Sequence, residues 1–258
     1  MKKEISSSER EESGLFLLWE KIRNNTRQLF SRENLRRIFS RENIRRFSLR
    51  AIIYAVGLAL LGVCVTLMIK TNLGMSSWDA FYRNLNEGIP LEYKFLNPII
   101  ALILLPIGYL LQKKKITAWI LFPLFVSAYV GVVIDFLKLV IPDVSAAGLG
   151  WNILYVAIAI FVCAIGLDMV TFCQFPLPAL DELCYGIGVR MKSTYGRGKL
   201  VGEGLALVLT VLTGLFFHRQ ADWFNIGPST LVFAVAIGPV IDWFKKPVHR
   251  ALGVFRIW

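Results

Sequence analysis

Six long apolar runs, at about 48–71, 96–112, 117–141, 149–172, 199–217 and 226–244, constrain this chain more than any other feature. A bilayer's hydrocarbon core is about 30 Å thick and takes roughly 20 apolar helical residues to cross. Inside it the backbone must satisfy its own polar groups, which leaves the α-helix as the form such runs can take. The 258 residues are 55% apolar with a mean hydropathy of +0.56. That leaves room for six crossings and a polar tail but not for a separate catalytic domain, and it excludes a water-soluble enzyme.

The charge supports the same reading through its placement. The chain carries +11 overall, and residues 1–50 hold thirteen Lys/Arg against seven Glu. Within them, 29–37 (LFSRENLRR) and 38–46 (IFSRENIRR) form a tandem nine-residue duplication. Each copy sets apolar side chains beside paired arginines, as in a basic helix lying on anionic lipid, although a solvated tail satisfies the pattern equally. The tail arginines, Lys113–Lys115, the cluster Arg190/Lys192/Arg197/Lys199, and Lys245, Lys246 and Arg250 all fall on one side of the six runs. The opposite loops, around Pro142–Asp143 and His218–Asn225, are nearly neutral, so the positive-inside rule puts both termini in the cytoplasm. No base-stacking module accompanies the positive charge, and no nucleic-acid partner is expected.

Chemistry-bearing motifs are sparse. Cys64, Cys163, Cys173 and Cys184 form no CxxC pair and share no spacing with His218 or His249, so neither disulfide, metal nor cofactor is expected. HExxH, GxSxG, P-loop and dinucleotide-binding patterns are absent, and Tyr195–Lys199 reads as a flexible cytoplasmic turn. No catalytic residue is assigned, and the expectation is that the chain is not an enzyme. Residues 1–10 lack the apolar core of a cleavable secretory signal.

The chain resembles itself. Leu73–Leu85, containing Gly74, Trp78 and Asp79, aligns at an offset of 102 with Phe175–Ile187, containing Pro178 and Asp181. Gly131–Phe136, containing Asp135, aligns at an offset of 107 with Gly238–Trp243, containing Pro239 and Asp242. Two matches in the same order imply a duplicated unit of three spans with a short helix between its first and second. Because three is odd, the second unit is inverted in the membrane, a design common among channels and secondary transporters.

The short helices carry apolar stripes, Trp78/Phe81/Tyr82/Leu85 and Leu180/Leu183/Cys184/Ile187. Twelve or so helical residues reach only about 18 Å, so these helices either lie at the interface or enter the membrane and stop partway. Ser76-Ser-Trp-Asp79 has the S-x-x-D helix-start pattern, and Pro178 suits the first turn of the second copy. Asp79 and Asp181 then either complete helix caps or bring carboxylates into a cavity. Asp135 and Asp242 lie late in apolar spans, each with a Gly four residues earlier on the same face, which predicts close backbone approach beside a carboxylate. They either face the bundle or reach the two interfaces. Glu203 follows Lys199 at i+4 and either pairs with it or has a site of its own; Asp168, late in the fourth span, is placed to reach water.

At Asn72-Leu-Gly-Met-Ser-Ser-Trp-Asp79, Gly131-x-x-x-Asp135 and Ile237-Gly-Pro-Val240 the chain resembles the YczE/YyaS/YitT group of bacterial multipass membrane proteins, in its YczE-like branch. The resemblance covers about 50–245. The family pattern is Leu-Gly-x-x-Pro-Trp-Asp in the first copy and Gly-x-Gly-Pro-Arg-Asp in the second, and Glu203 and Gly214 stand where it has Glu and Gly. Ser77 replaces the Pro, and Leu180 replaces the Arg. The resemblance implies a bacterial cytoplasmic-membrane location, and it bears on architecture more than on activity.

The expected fold is an all-α membrane protein, six transmembrane helices arranged as two inverted three-helix repeats, each with a short amphipathic or re-entrant helix. Residues 1–47 form a basic cytoplasmic segment, 48–144 and 145–246 the repeats, and 247–258 a cytoplasmic tail. The expected function is a small permease for an unidentified small solute, with Asp79, Asp181, Asp135, Asp242 and Glu203 as binding or coupling candidates. Gly74, Trp78, Gly131, Pro178, Gly238 and Pro239 serve the repeat motifs structurally. A non-transporting accessory protein and the substrate-binding subunit of a larger importer are the rival readings. Expected partners are the bilayer, its anionic lipids, and a second copy or another membrane protein.

Overall fold

The computed structural model describes residues 41–89, 93–115, 118–217 and 226–254. Most of the nine-residue duplication, the lipid contacts expected of residues 1–40 and the loop around His218 lie outside them. The described residues are helical: α1 (Arg41–Ile69), α2 (Ser77–Gly88), α3 (Tyr93–Leu111), a 3-10 turn (Ala118–Leu121) leading into α4 (Phe122–Val140), α5 (Leu149–Phe172), α6 (Ala179–Arg190), α7 (Tyr195–Phe217) and α8 (Pro228–Gly253). Four of these, α1, α4, α5 and α7, are long and apolar enough to cross a membrane, and α3 adds a shorter apolar stretch, Ile99–Leu111. Phe125, Val132, Phe136, Leu139 and Phe216 project fully outward. Apolar surface on that scale is unfavourable in water and compatible with a membrane-embedded protein.

Both ends of the helical region extend beyond the expected boundaries. α1 begins at Arg41, inside the segment read as a tail, and its first turns carry an i,i+4 ion pair between Glu42 and Arg46. α8 continues to Gly253, through most of the segment read as the C-terminal tail, with Pro239 and Pro247 inside it. Arg250 in its last turn complements the negative end of the helix dipole.

The core is built on α1 and α5, whose backbones touch where two glycines meet. A Cβ on Gly166 would stand 2.8 Å from the Gly57 carbonyl oxygen, and one on Gly57 3.0 Å from that of Gly166. Small residues at such a crossing let lipid-embedded helices approach closely. Leu58, Leu61, Met68, Leu167, Val170, Ile237 and Ile241 belong to the same hydrophobic core. α4 packs on α1, and α8 packs on α5 and α7.

The two short helices lie inside the bundle. α2 packs against α7, with Ser77 and Asn84 bonded to Thr210 and Gly88 beside Phe217, so it runs along the C-terminal half of α7 in the same direction. α6 packs against α3 in the same way. Ala179 meets Ala101 and Leu105, Glu182 lies on Gly108, and Gly186 lies on Gly108 and Leu111. Trp78, Phe81 and Tyr82 on one stripe and Leu183 and Cys184 on the other are buried.

The irregular segment before each short helix is braced from elsewhere in the chain. Gly74 adopts φ +108° and lies so close to the α8 N-terminus that a Cβ would meet Gly227 N at 2.6 Å. Ser229 donates to Leu73 O and Gly74 O, and Asn152 Oδ1 on α5 accepts from Asn72 N. On the other side, Arg50 and Tyr54 of α1 donate to Cys173 O and Pro176 O.

Candidate functional site

Each short helix starts with a carboxylate, through two different kinds of sequence signal. At α2, Ser76 is the N-cap: Asp79 N donates to Ser76 Oγ at 3.2 Å, and Ser76 Oγ donates to Asp79 Oδ2 at 2.6 Å. This is the helix start expected from S-x-x-D. At α6, Pro178 occupies the N-cap, and Asp181 and Glu182 fill the first turn. Acidic residues there complement the positive end of the dipole.

Because α2 and α6 enter the bundle from different sides, their N-termini meet. Asp79 and Asp181 line one cavity of about 120 Å³ together with Lys199 and Glu203 of α7, and its wall also includes Cys64, Met68, Trp78, Cys163, Leu167 and Phe233. Lys199 Nζ lies 2.7 Å from Asp181 Oδ1 and 3.1 Å from Glu203 Oε1. Tyr195 OH donates to the same Asp181 oxygen at 3.2 Å. Lys199 and Glu203 are almost wholly buried, at 6% and 1% exposure. Ser77 lies beside the Glu203 carboxylate. Trp78 Nε1, in contrast, has no hydrogen-bond partner among the described residues.

Three of the five expected acidic residues therefore come together, and two do not. Asp135 is exposed on the outer face of α4 and, among the described residues, pairs only with Lys138, at 3.3 Å. A Cβ on Gly131 would meet nothing within 4 Å, so the close approach expected there is absent. α4 touches the bundle chiefly through α1, which leaves this face of it unpartnered. Asp242 caps a helix and does not line the cavity. It accepts from Thr194 Oγ1 at 2.6 Å and from Gly196 N at 3.3 Å, at the start of α7. Here the close approach is real, since a Cβ on Gly238 would stand 2.5 Å from Gly196 O. Pro239, the next residue, is exposed within α8.

Two further charges depart from the expectation. Asp168, read as reaching water, is 1% exposed, and its Oδ2 has no partner. Lys199, counted among the loop charges, stands in the first turns of α7, because Tyr195–Lys199 is helical and not a flexible turn. Its role was hidden by distance, since the Asp181 it holds is 18 residues away on another helix. Glu182 also escaped the sequence reading. It accepts from Leu177 N (3.0 Å), Gln112 Nε2 (2.8 Å) and Lys114 Nζ (2.9 Å), and so fastens the α6 start to the end of α3.

Among the described residues, no three His, Cys, Asp or Glu side chains gather closely enough to hold a metal ion. Asp79, Asp181 and Glu203 are thus neighbours across a space, not a ligand set. The arrangement can bind a small polar molecule between carboxylates, with apolar contact from the rest of the wall.

No curated protein matches the chain, and no solved structure does. A family model described as a family of unknown function (DUF6198) matches residues 48–246, which include every residue that lines the cavity. The chain belongs to that family.

Proposed function

We propose that this protein is a small permease, and not an enzyme, carrying a small solute across a bacterial cytoplasmic membrane through the cavity between α2 and α6. The observation that carries the proposal is the convergence of Asp79 and Asp181, from the starts of two short helices in different halves of the chain, on one cavity with Glu203. In this reading α1, α3, α4, α5, α7 and α8 make six crossings as two inverted repeats, and α2 and α6 are re-entrant from opposite faces. The packing supports the duplication. Exchanging α1 with α5, α2 with α6, α3 with α7 and α4 with α8 turns the pair α2–α7 into α6–α3 and α1–α4 into α5–α8, and all of these pairs are in contact. Lys113–Lys115 follow α3, Arg190 and Lys192 stand at the end of α6, and Lys245 and Lys246 lie in the last third of α8, which favours cytoplasmic termini. The kinship with the YczE-like branch belongs to the same proposal. Two halves that move against each other about a central site give alternating access.

The test needs no knowledge of the solute. In a variant keeping Cys163 alone of the four cysteines, the thiol-reactive ion Ag+, small enough for the cavity, is applied in chloride-free buffer to right-side-out and to inside-out vesicles, and the thiols it has labelled are read as those that no longer take maleimide after denaturation. Alternating access predicts labelling of Cys163 from both sides. Labelling from the outer side alone would favour a substrate-binding subunit. Labelling from neither side, with the protein folded, would refute the permease and favour an accessory protein.

A further inference from the structure

We infer that the solute held in this cavity is a small organic monocation, of the ammonium or amidinium class. The inference rests on the permease reading only in taking the cavity as the solute site. It begins from a charge imbalance: Asp79, Asp181 and Glu203 face a single cation, Lys199. The Lys199 ammonium is committed to Asp181 Oδ1 and Glu203 Oε1, at 2.7 and 3.1 Å. The Glu203 carboxylate, 1% exposed, has the neutral Ser77 hydroxyl beside it and, among the described residues, no second cation. Asp79 has the Ser76 hydroxyl at 2.6 Å but no cation bonded to it. Carboxylates in so enclosed a place need a counter-charge or a proton.

The size of the missing charge follows from the helices. Three carboxylates and one ammonium leave −2, while the N-termini of α2 and α6 each act as roughly +0.5. The balance is about one negative charge, which a monocation meets. The orphan Trp78 Nε1 is a neutral donor that water can satisfy, so it does not alter this balance.

Volume and wall define the rest. A cavity of about 120 Å³ is well below the size that takes a drug-sized ligand and restricts the solute to a small molecule. The carboxylates do not close into a metal-ion geometry, and Leu61, Met68, Trp78 and Phe233 supply apolar wall. A cation with N–H donors for separated carboxylates and a carbon framework for that wall matches both features, whereas a bare metal ion matches neither.

Acetamidinium, acetamide and acetate share four non-hydrogen atoms and carry charges of +1, 0 and −1. The full-length protein in detergent is titrated with each at constant ionic strength and pH, and its thermal midpoint is followed. Acetamidinium is expected to raise the midpoint saturably and to slow Ag+ labelling of Cys163, with no effect from acetamide or acetate. Glu203→Gln should weaken the response at least tenfold, and Asp135→Asn should leave it unchanged. Should Glu203→Gln fail to fold, protection of Cys163 by acetamidinium but not by acetamide or acetate still decides the sign of the charge. Equal stabilisation by acetate or acetamide, or none by acetamidinium, overturns the inference. If Cys163 still labels from both sides of the membrane, that failure leaves the permease reading standing. Loss of both results overturns both.

Discussion

Removing the Lys199 charge should damage the protein more than removing Lys199 and its two partners together. With an effective dielectric constant of 20, unit charges at 2.7 and 3.1 Å attract by about 6 and about 5 kcal/mol. Desolvation of the three groups, at several kcal/mol per ion, offsets most of that gain, so the intact cluster contributes little net stability. Lys199→Met removes the attraction but not the desolvation, and leaves two carboxylates buried without a cation. The expected cost is about 3–5 kcal/mol, or roughly 6–20 °C in thermal midpoint at 2–4 °C per kcal/mol. In the triple variant Lys199→Met/Asp181→Asn/Glu203→Gln no buried charge of the cluster remains, and Tyr195 OH still finds an amide oxygen on residue 181. That variant should recover at least half of the loss. The assay is thermal or denaturant unfolding of all three proteins side by side in one detergent. A triple variant as unstable as Lys199→Met, or a Lys199→Met protein as stable as the parent, would refute the charged cluster.

Other substitutions separate site from scaffold. Glu182→Ala removes one acceptor shared by Leu177 N, Gln112 and Lys114, and leaving the buried Leu177 N–H unsatisfied is expected to cost about 1–3 kcal/mol in the same unfolding assay. Gly238→Ala would drive a methyl group against the Gly196 carbonyl where α7 and α8 cross, costing about 1–3 kcal/mol, measured as a lowered midpoint. Asp242→Ala removes the acceptor at the start of α7 and should cost about 0.5–2 kcal/mol, whereas Asp135→Ala, on an exposed face, should stay within about 0.5 kcal/mol of the parent. Comparing those two midpoints tests whether equivalent aspartates in the duplication have taken different roles.

What the sequence showed of this molecule was mainly what is local or repeated. The S-x-x-D pattern placed the α2 start because a cap needs only residues three apart, and Ser76 and Asp79 make that contact. The matched aspartates at 79 and 181 marked the two helix starts, and the apolar stripes marked which faces are buried. The second pair of matches misled. Gly131-x-x-x-Asp135 and Gly238-x-x-x-Asp242 look equivalent as strings, but only α8 packs on α7, so only Gly238 and Asp242 have something to touch. Lys199 was read as a loop charge because its burial depends on Asp181 arriving from another helix. The N-terminus of α2 was legible, while its neighbour across the cavity was a tertiary fact with no signature in spacing.

The crossed packing of the short helices also dictates an order of assembly. Ser77 accepts its bond from Thr210, 133 residues later in the chain. At roughly 5–20 residues per second of synthesis, α2 waits about 7–27 s for the helix that completes its environment. Until then the first half must sit without the braces that α7 and α8 supply to α2 and to the backbone before it, since those helices do not yet exist. Half-chains made as separate polypeptides would meet the same requirement, each holding one wall of the cavity and needing the other half to close it.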